Sequence, residues 1–235
     1  MLKDLSEFEL IQLFMEARYP DALLFLDTSK RVSMAHVLQK MLPLYKLESQ
    51  FVHLANPEKQ IEVTIFVNRA LVGMQEVTNY TFFRQTCEKV FRLLGENLQV
   101  DSVDRLGVRF FWGYPVKDVR VASELVQERL LKSTAFNVFS DFPLENVSVS
   151  FTTKIDTFNA RLSIGNMTIE KVLITMGPAT TSGSPVIERK QYLLADVDLF
   201  VTNLKLEDAR LVPDRAYQSS RKVLDGLVQS LNVSP

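Results

Sequence analysis

The sequence DSVDRLGVRFFWGYPV, residues 101–116, has the alternation of a β-strand and separates two halves of the chain that follow one plan. Four apolar side chains fall on one side of it, namely Leu106, Val108, Phe110 and Trp112. The other side receives Arg105, Gly107, Arg109 and Phe111. This period of two predicts a strand over residues 105–112. We expect it to stop at Tyr114-Pro115, because proline has no N–H for the ladder.

Outward from this strand, both halves continue in the same order. Residues 117–132 change to helical spacing, with Val119, Ala122, Val126 and Leu130 as the apolar stripe. Near the start of the chain, residues 8–20 form another apolar-rich run that ends in Tyr-Pro. A helix with Ser33 as its N-cap is predicted to follow it. The buried stripe of that helix would be Met34, Val37, Leu38 and Met41.

The rest of each half reads as antiparallel strands closed by a long helix. In the first half we predict strands over residues 48–55, 60–68 and 70–77, and then a helix capped by Thr78 or Asn79 that ends near Leu98. The second half has an irregular segment, 132–146, and then predicted strands over residues 147–154, 160–165, 168–176 and 190–202. A polar loop, 177–185, is predicted to be mobile or inserted. The last helix covers residues 214–231.

The predicted fold class is α+β. Two similar β-α-β(3-4)-α units, residues 1–100 and 101–235, would join into one continuous curved antiparallel sheet with long helices packed on one side. This arrangement is of the TATA-binding-protein-like or helix-grip kind, and the two units would form one compact domain. One irregular α+β domain without internal symmetry stays open as the alternative, because the sequences of the halves are otherwise dissimilar.

The segment Arg105-Leu106-Gly107-Val108-Arg109-Phe110 resembles a motif of a sporadically distributed, uncharacterised family of bacterial and archaeal proteins. The family motif is arginine, aliphatic, glycine, leucine, arginine, tyrosine. A long helix precedes it in that family, and a leucine-aspartate-aliphatic-aspartate strand and a helix close the chain. Residues 80–98, 194–198 and 214–231 match these features in order. The sequence departs from the family where an asparagine usually follows, since Phe111-Trp112-Gly113 stands there. The resemblance implies the fold and no established activity.

Composition points to an ordinary globular chain without the basic surface of a nucleic-acid-binding protein. The 235 residues are 46% hydrophobic, and 27 basic residues are balanced by 28 acidic ones. Balanced charge makes nucleic acid an unexpected partner, because phosphate binding needs a basic surface. We also expect no signal peptide, no membrane span and a cytoplasmic location, which the single cysteine fits.

Searches for catalytic and metal-binding patterns give no motif. Cys87 lies on the apolar stripe of a predicted helix, so a buried structural thiol is favoured over a nucleophile. His36 and His53 are isolated. We therefore predict no catalytic residues, no metal and no cofactor.

Five residues are the candidates for binding a ligand or partner: Arg105, Arg109, Phe111, Asp196 and Asp198. Asp196 and Asp198 lie two apart on a predicted strand, so their carboxylates point to one face. If this strand neighbours the 105–112 strand, the four charges meet. They then form either a structural ion-pair cluster or a site where the arginines grip an anionic group. Phe110, Phe111 and Trp112 are expected to be core, but on an uncovered face Phe111 would be an anchor.

These observations favour a non-catalytic binding protein that holds a protein partner, or a second copy of itself, on its sheet face or in the cleft between units. A carrier or sensor of a small apolar ligand is the alternative, with Met34, Met41, Phe66 and Met74 lining a cavity under the long helices. An enzyme with a dispersed carboxylate and arginine site is a third hypothesis.

Overall fold

The computed structural model describes residues 7–130, 147–173 and 186–232. In these ranges the protein is a mixed α+β structure, with nine strands in one curved antiparallel sheet and five helices. The strands are β1 (Glu9–Arg18), β2 (Leu44–Leu47), β3 (Val52–Asn56), β4 (Ile61–Ile65), β5 (Arg69–Gln75), β6 (Ser102–Val116), β7 (Val149–Ile155), β8 (Phe158–Leu173) and β9 (Val186–Lys205). The helices are α1 (Thr28–Gln39), α2 (Tyr80–Leu98), α3 (Val119–Arg129), α4 (Leu206–Ala209) and α5 (Val212–Asn232).

The order of strands places β1 and β6 in the middle of the sheet. Across the sheet the order is β2-β3-β4-β5-β1-β6-β9-β8-β7. β1 pairs with β5 on one side and with β6 on the other, and β6 pairs in turn with β9. The strand that the alternation of residues 105–112 predicts is therefore confirmed as part of β6, and it lies in the middle of the sheet.

The helices cover one side of this sheet. Leu13 and Met15 of β1 and Val108 and Phe110 of β6 point to that side and are at most 1% exposed. The predicted apolar stripe of α2 is buried in the same cluster and is confirmed: Phe83, Cys87, Val90, Phe91, Leu94 and Leu98. The Asn79 side chain accepts a hydrogen bond from the Phe82 N–H, so Asn79 is the N-cap.

The closing helix is fixed to the middle of the sheet by aromatic packing. Tyr217 of α5 stacks on Tyr80 of α2 with ring centroids 4.1 Å apart. It also lies 6.2 Å from Phe110 and 6.0 Å from Trp112 on β6. At the other side of α5, Ser219 and Lys222 contact Asp156 in the turn between β7 and β8. The closing helix thus packs on the central strand β6 and against α2.

Two predictions about the ends of elements are wrong. The N-cap of α1 is Asp27, whose side chain accepts from the Ser29 N–H, so the helix begins one and a half turns before Ser33. Strand β6 continues through Pro115, which pairs with Tyr192 of β9. Gly113 is the last residue of β6 that pairs with β1, so a residue without N–H continues the ladder with β9 alone.

The chain is also divided into strands differently from the prediction, although the prediction and the described ranges both have nine. The two strands predicted at residues 160–165 and 168–176 are one strand, β8, because Gly165-Asn166 continues the ladder to β9 instead of turning. Strand β2 was not predicted, and all four of its residues are exposed at the sheet edge. The irregular segment 132–146 and the loop 177–185 lie outside the described residues. No helix in the described ranges is long and apolar enough to cross a lipid bilayer.

Candidate binding face of the sheet

The side of the sheet opposite the helices, here called the open face, carries the candidate residues. On the three central strands its side chains alternate with the buried ones. β1 contributes Phe14, Glu16 and Arg18; β6 contributes Arg105, Gly107, Arg109 and Phe111; β9 contributes Asp196, Asp198 and Phe200. In register, Arg109 lies between Phe14 of β1 and Asp198 of β9. The pairing of β6 with β9 brings the four predicted charges together.

Arg109 forms a two-pronged ion pair with Asp196. Its Nε and Nη2 donate to Oδ1 and Oδ2 of the carboxylate at 2.8 Å and 2.6 Å. The Asp196 side chain is 15% exposed and that of Arg109 is 50% exposed, so the carboxylate holds the guanidinium from below. This hydrogen bonding raises the pKa of Arg109. The guanidinium also lies 4.7 Å from the ring centre of Phe111.

Arg105 has three partners on the same face. Its Nη1 donates to Glu16 Oε2 at 3.2 Å, and its Nη2 lies 3.6 Å from Asp198 Oδ2. Its guanidinium lies 4.7 Å from the ring centre of Phe200. A side chain on Gly107 would crowd it, since a Cβ there would be 3.3 Å from Arg105 Nη1. Gly107 therefore leaves the space in which Arg105 lies flat on the sheet.

Asp198 is the less well compensated of the two aspartates. Burial raises its pKa, and the neighbouring Arg105 and Arg109 reduce that rise without cancelling it. Its contact with Arg105 is a single long one of 3.6 Å, whereas Asp196 accepts two short hydrogen bonds. Asp196 is thus the stronger anchor for an arginine.

Aromatic side chains give the open face an apolar centre. Phe111 and Phe14 meet edge to face with centroids 5.9 Å apart, and both are half-buried. Together with Leu71 and the arginines they line a shallow depression of about 460 Å³. The open face therefore combines exposed guanidinium groups with apolar surface between them.

All five predicted site residues thus lie on one face and form one connected cluster. The expectation that Phe110, Phe111 and Trp112 are all core is wrong for Phe111. Phe110 and Trp112 are 0% and 2% exposed under the helices, while Phe111 lies on the open face. The sequence reasoning missed the partners from other strands, Phe14, Glu16 and Phe200. The alternation of β1, with Leu13, Met15 and Ala17 buried, contains the signal for two of them.

A second depression lies on the helix side. It has a volume of about 430 Å³ and is bounded by α5 and by strands β7, β8 and β9. Apolar side chains that include Phe151, Leu162, Val223 and Leu227 line most of it. It differs from the cavity expected around the methionines, because Met34 and Met74 are fully buried in the core.

The cysteine and the two histidines do not lie in the arginine and aspartate cluster. Cys87 is fully buried, and burial raises its pKa well above the ordinary value of a thiol. His53 pairs with Thr64 Oγ1 at 2.9 Å on neighbouring strands, and His36 is exposed on α1. Within the described ranges, no group of three or more His, Cys, Asp or Glu residues is placed to hold a metal ion.

The fold and the site together define a mixed α+β protein with an open antiparallel sheet face that carries an arginine, carboxylate and aromatic cluster. No protein-family model matches the sequence, and a search of curated proteins finds no match.

Proposed function

We propose that this chain is a non-catalytic binding protein whose open face receives a partner protein. One observation carries the proposal: the centre of the sheet presents half-buried Phe14 and Phe111 beside Arg109, whose guanidinium is half exposed and fixed by two hydrogen bonds. Aromatic and arginine side chains dominate the binding energy of protein interfaces, and an arginine that is already oriented loses less freedom on binding.

The charges of the open face favour protein over nucleic acid. Its arginines alternate with Glu16, Glu62, Asp196 and Asp198, which would repel a phosphate backbone. Arginine and aromatic side chains, which this face presents together, are enriched at protein interfaces. Both aspartates contact arginines, which favours a holding role for them over acid–base catalysis.

The proposal is tested by partner recovery. Arg109→Ala and Phe111→Ala proteins are used as bait beside the unchanged protein, and co-purifying proteins are quantified by mass spectrometry. Arg120→Ala, an exposed arginine on α3, is the matched control. We expect both open-face variants, and not the control, to lose the same partner. Retention of every partner by folded open-face variants would refute the proposal.

The depression beneath α5 favours a second candidate function, carriage or sensing of a small apolar ligand. Its volume of about 430 Å³ lies within the range of ligand pockets, and its lining is mostly apolar. Native mass spectrometry tests it against the chain mass of 26.9 kDa. An added mass that denaturation releases, and that Gly226→Trp in the pocket wall prevents, supports the carrier. A bare chain mass counts against it.

We also propose that residues 1–100 and 101–235 are two copies of one unit. β5 pairs with β1 as β9 pairs with β6, and α2 follows β5 as α5 follows β9 with only the short α4 between. The equivalent first strands, β1 and β6, meet antiparallel at the centre. Superposition of the halves in an experimental structure should align α1 with α3 and α2 with α5; helices in unrelated positions would contradict the duplication.

The same order of elements supports membership in the uncharacterised family that the sequence resembles. The motif of residues 105–110 lies within β6 and follows α2, and residues 194–198 lie within β9 ahead of α5. An alignment of family members should place arginines at the positions of Arg105 and Arg109; other residue types there would contradict the assignment.

We also propose that the protein is located in the cytoplasm, and the single, buried Cys87 fits this location. Fractionation of the native host that finds the protein outside the cytoplasm would contradict it.

A further inference from the structure

Three arginines lie side by side across the open face, and we call them the arginine row. Arg18 of β1 pairs directly with Arg69 of β5 on one side and with Arg105 of β6 on the other. Side chains at directly opposite positions of antiparallel strands have Cβ atoms about 4.5–5.5 Å apart, and like charges placed there destabilise the sheet. The row thus concentrates positive charge where folding alone disfavours it.

Carboxylates compensate the row only in part. Glu16 is shared, with its Oε2 3.0 Å from Arg18 and 3.2 Å from Arg105. Asp198 contacts Arg105 alone, at 3.6 Å. Arg69 lies over the Phe66 ring at 4.4 Å and has no carboxylate within ion-pair distance in the described part of the chain. The three arginines of the row are therefore neutralised by only two carboxylates.

Two of the three arginines are more exposed than the acids, while Arg105, at 28%, is about as buried as they are. The side chains of Glu16 and Asp198 are 23% and 24% exposed, whereas Arg18 is 56% exposed and Arg69 is exposed as well. An approaching molecule meets the guanidinium groups of Arg18 and Arg69 first, and the more buried Glu16 holds Arg18 in place. A fixed guanidinium fork matches the geometry of a carboxylate.

The row borders the apolar centre of the face. Arg18 and Arg105 line the same depression as Phe14, Leu71 and Phe111. A binding segment therefore meets cations along one border of the depression and apolar surface in its middle. Carboxylates and apolar side chains mixed in one segment complement both parts.

We infer that the arginine row binds an acidic segment of the partner protein, rich in Asp or Glu and carrying apolar residues that enter the depression; this inference rests on the proposed function. A protein segment is favoured over nucleic acid because separate carboxylates can avoid Asp196, Asp198 and Glu62 on the same face, whereas a continuous phosphate chain cannot.

Binding of defined peptides tests the inference. A fluorescent peptide of about twelve residues, built from Glu-Glu-Leu repeats, is titrated with the protein at low salt, where charge pairing is strongest. A Lys-Lys-Leu peptide and a single-stranded oligonucleotide of equal charge serve as competing probes. The variants are Arg18→Gln, Arg69→Gln, their combination and, as the control of equal charge change, Arg120→Gln on α3.

We expect the acidic peptide to bind, with an affinity about three- to ten-fold weaker for each single variant and unchanged for Arg120→Gln. Arg69→Gln is the safest variant, because Arg69 holds no carboxylate in the described structure whose loss would disturb folding. Urea unfolding checks that each protein stays folded. The inference would be overturned if the acidic peptide did not bind, or if its affinity were the same for the Arg18→Gln and Arg69→Gln variants. It would also be overturned if the oligonucleotide bound more tightly than the peptide and lost affinity in these variants.

The failure of this inference is distinguishable from failure of the proposed function. If Arg18→Gln and Arg69→Gln keep the natural partner while Phe111→Ala loses it, the open face is a binding face and the row has no acidic partner. If none of the three variants loses a partner, both proposals fall.

Discussion

Phe110 and Phe111 are neighbours on β6 with opposite surroundings. Phe110 is 0% exposed beneath α5, where Tyr217 lies 6.2 Å from its ring. Phe111 is half-buried on the open face, against Phe14 and the guanidinium of Arg109. One strand therefore serves the core with one set of side chains and presents a surface with the other.

The two phenylalanines represent two groups of side chains, one that stabilises the fold and one that is available for binding. Side chains on the helix side remove large apolar areas from water, and that burial is the dominant favourable term in folding. Side chains on the open face contribute ion pairs that stay partly solvated, and such pairs add little stability. Substitutions on the two sides should therefore differ first in stability and then in binding.

The largest contrast is expected between alanine substitutions of the two phenylalanines. Phe110→Ala should lower the free energy of unfolding by about 3–5 kcal/mol, since it opens a cavity in packed core. Phe111→Ala should lower it by about 1 kcal/mol or less, because solvent already reaches its ring. Urea unfolding measures both. Equal losses would mean that the open face is as much a core as the helix side.

High pH should lower the free energy of unfolding through two tyrosines on the helix side of the sheet. Burial raises the pKa of Tyr19 and of Tyr80 far above the ordinary value for tyrosine, and the nearby Asp214 carboxylate adds to the rise for Tyr80. The unfolded chain loses these protons near pH 10 while the folded chain keeps them. The contribution of these two tyrosines to stability is therefore complete below pH 10 and falls above it, by up to about 1.4 kcal/mol per pH unit for each tyrosine.

Unfolding measured against pH, with Tyr19→Phe as the comparison, checks this behaviour. Phenylalanine cannot ionise, so that variant should show a shallower decline above pH 10. The Tyr19 hydroxyl donates to the Phe66 carbonyl, so the variant also starts from a lower stability. An unchanged slope would exclude Tyr19 as a source of the pH dependence.

Replacing each of the two aspartates of the open face by asparagine should change the free energy of unfolding by different amounts. Asp196→Asn leaves one acceptor oxygen where the carboxylate has two, so one hydrogen bond from Arg109 is lost and the other is weakened. The substitution should cost about 1 kcal/mol, a modest amount because Arg109 is half exposed. Asp198→Asn should be neutral within about 0.5 kcal/mol at pH 7, because burial already penalises its charge and raises its pKa.

The pH dependence of the free energy of unfolding distinguishes the two aspartates further. A raised pKa means that ionisation of Asp198 removes stability as pH rises through the acidic range, and Asp198→Asn should abolish that decline. Asp196→Asn is measured in parallel by urea unfolding at acidic and neutral pH. A larger loss from Asp198→Asn than from Asp196→Asn would reverse the assignment of the stronger anchor.

The smallest effect on stability is expected at Gly107. Alanine in a strand gains about 0.5–1 kcal/mol over glycine, but its Cβ would lie 3.3 Å from the Arg105 guanidinium. The two terms should nearly cancel in the free energy of unfolding, while Arg105 is displaced from Glu16. A crystal structure of Gly107→Ala with Arg105 unmoved would show that Gly107 does not control its position.

The sequence was most informative where one side of an element is buried. The alternation of residues 105–112 and the stripe of α2 follow from packing against a core, so both could be predicted. The pairing of β6 with β9 was a condition in the prediction, and it brought Arg105 and Arg109 to the two aspartates.

Contacts between distant strands were the part that the sequence could not supply. Glu16 and Arg105 are 89 positions apart, and only the register of β1 against β6 makes them neighbours. The position of Phe111 depended on whether a second layer covers the sheet, which no local pattern reports. Strand β2 was missed because its exposed residues lack the alternation that burial imposes.

Photo-cross-linking from the two sides of the sheet tests the central claim most directly. A photoreactive residue replaces Glu62, exposed on the open face, or Glu88, exposed on the helix side in α2. The two positions are matched in charge and exposure, and cross-links are formed in cells and identified by mass spectrometry. We expect a partner protein joined through position 62 and absent from position 88. A partner joined only through position 88 would contradict the assignment of the open face as the binding surface.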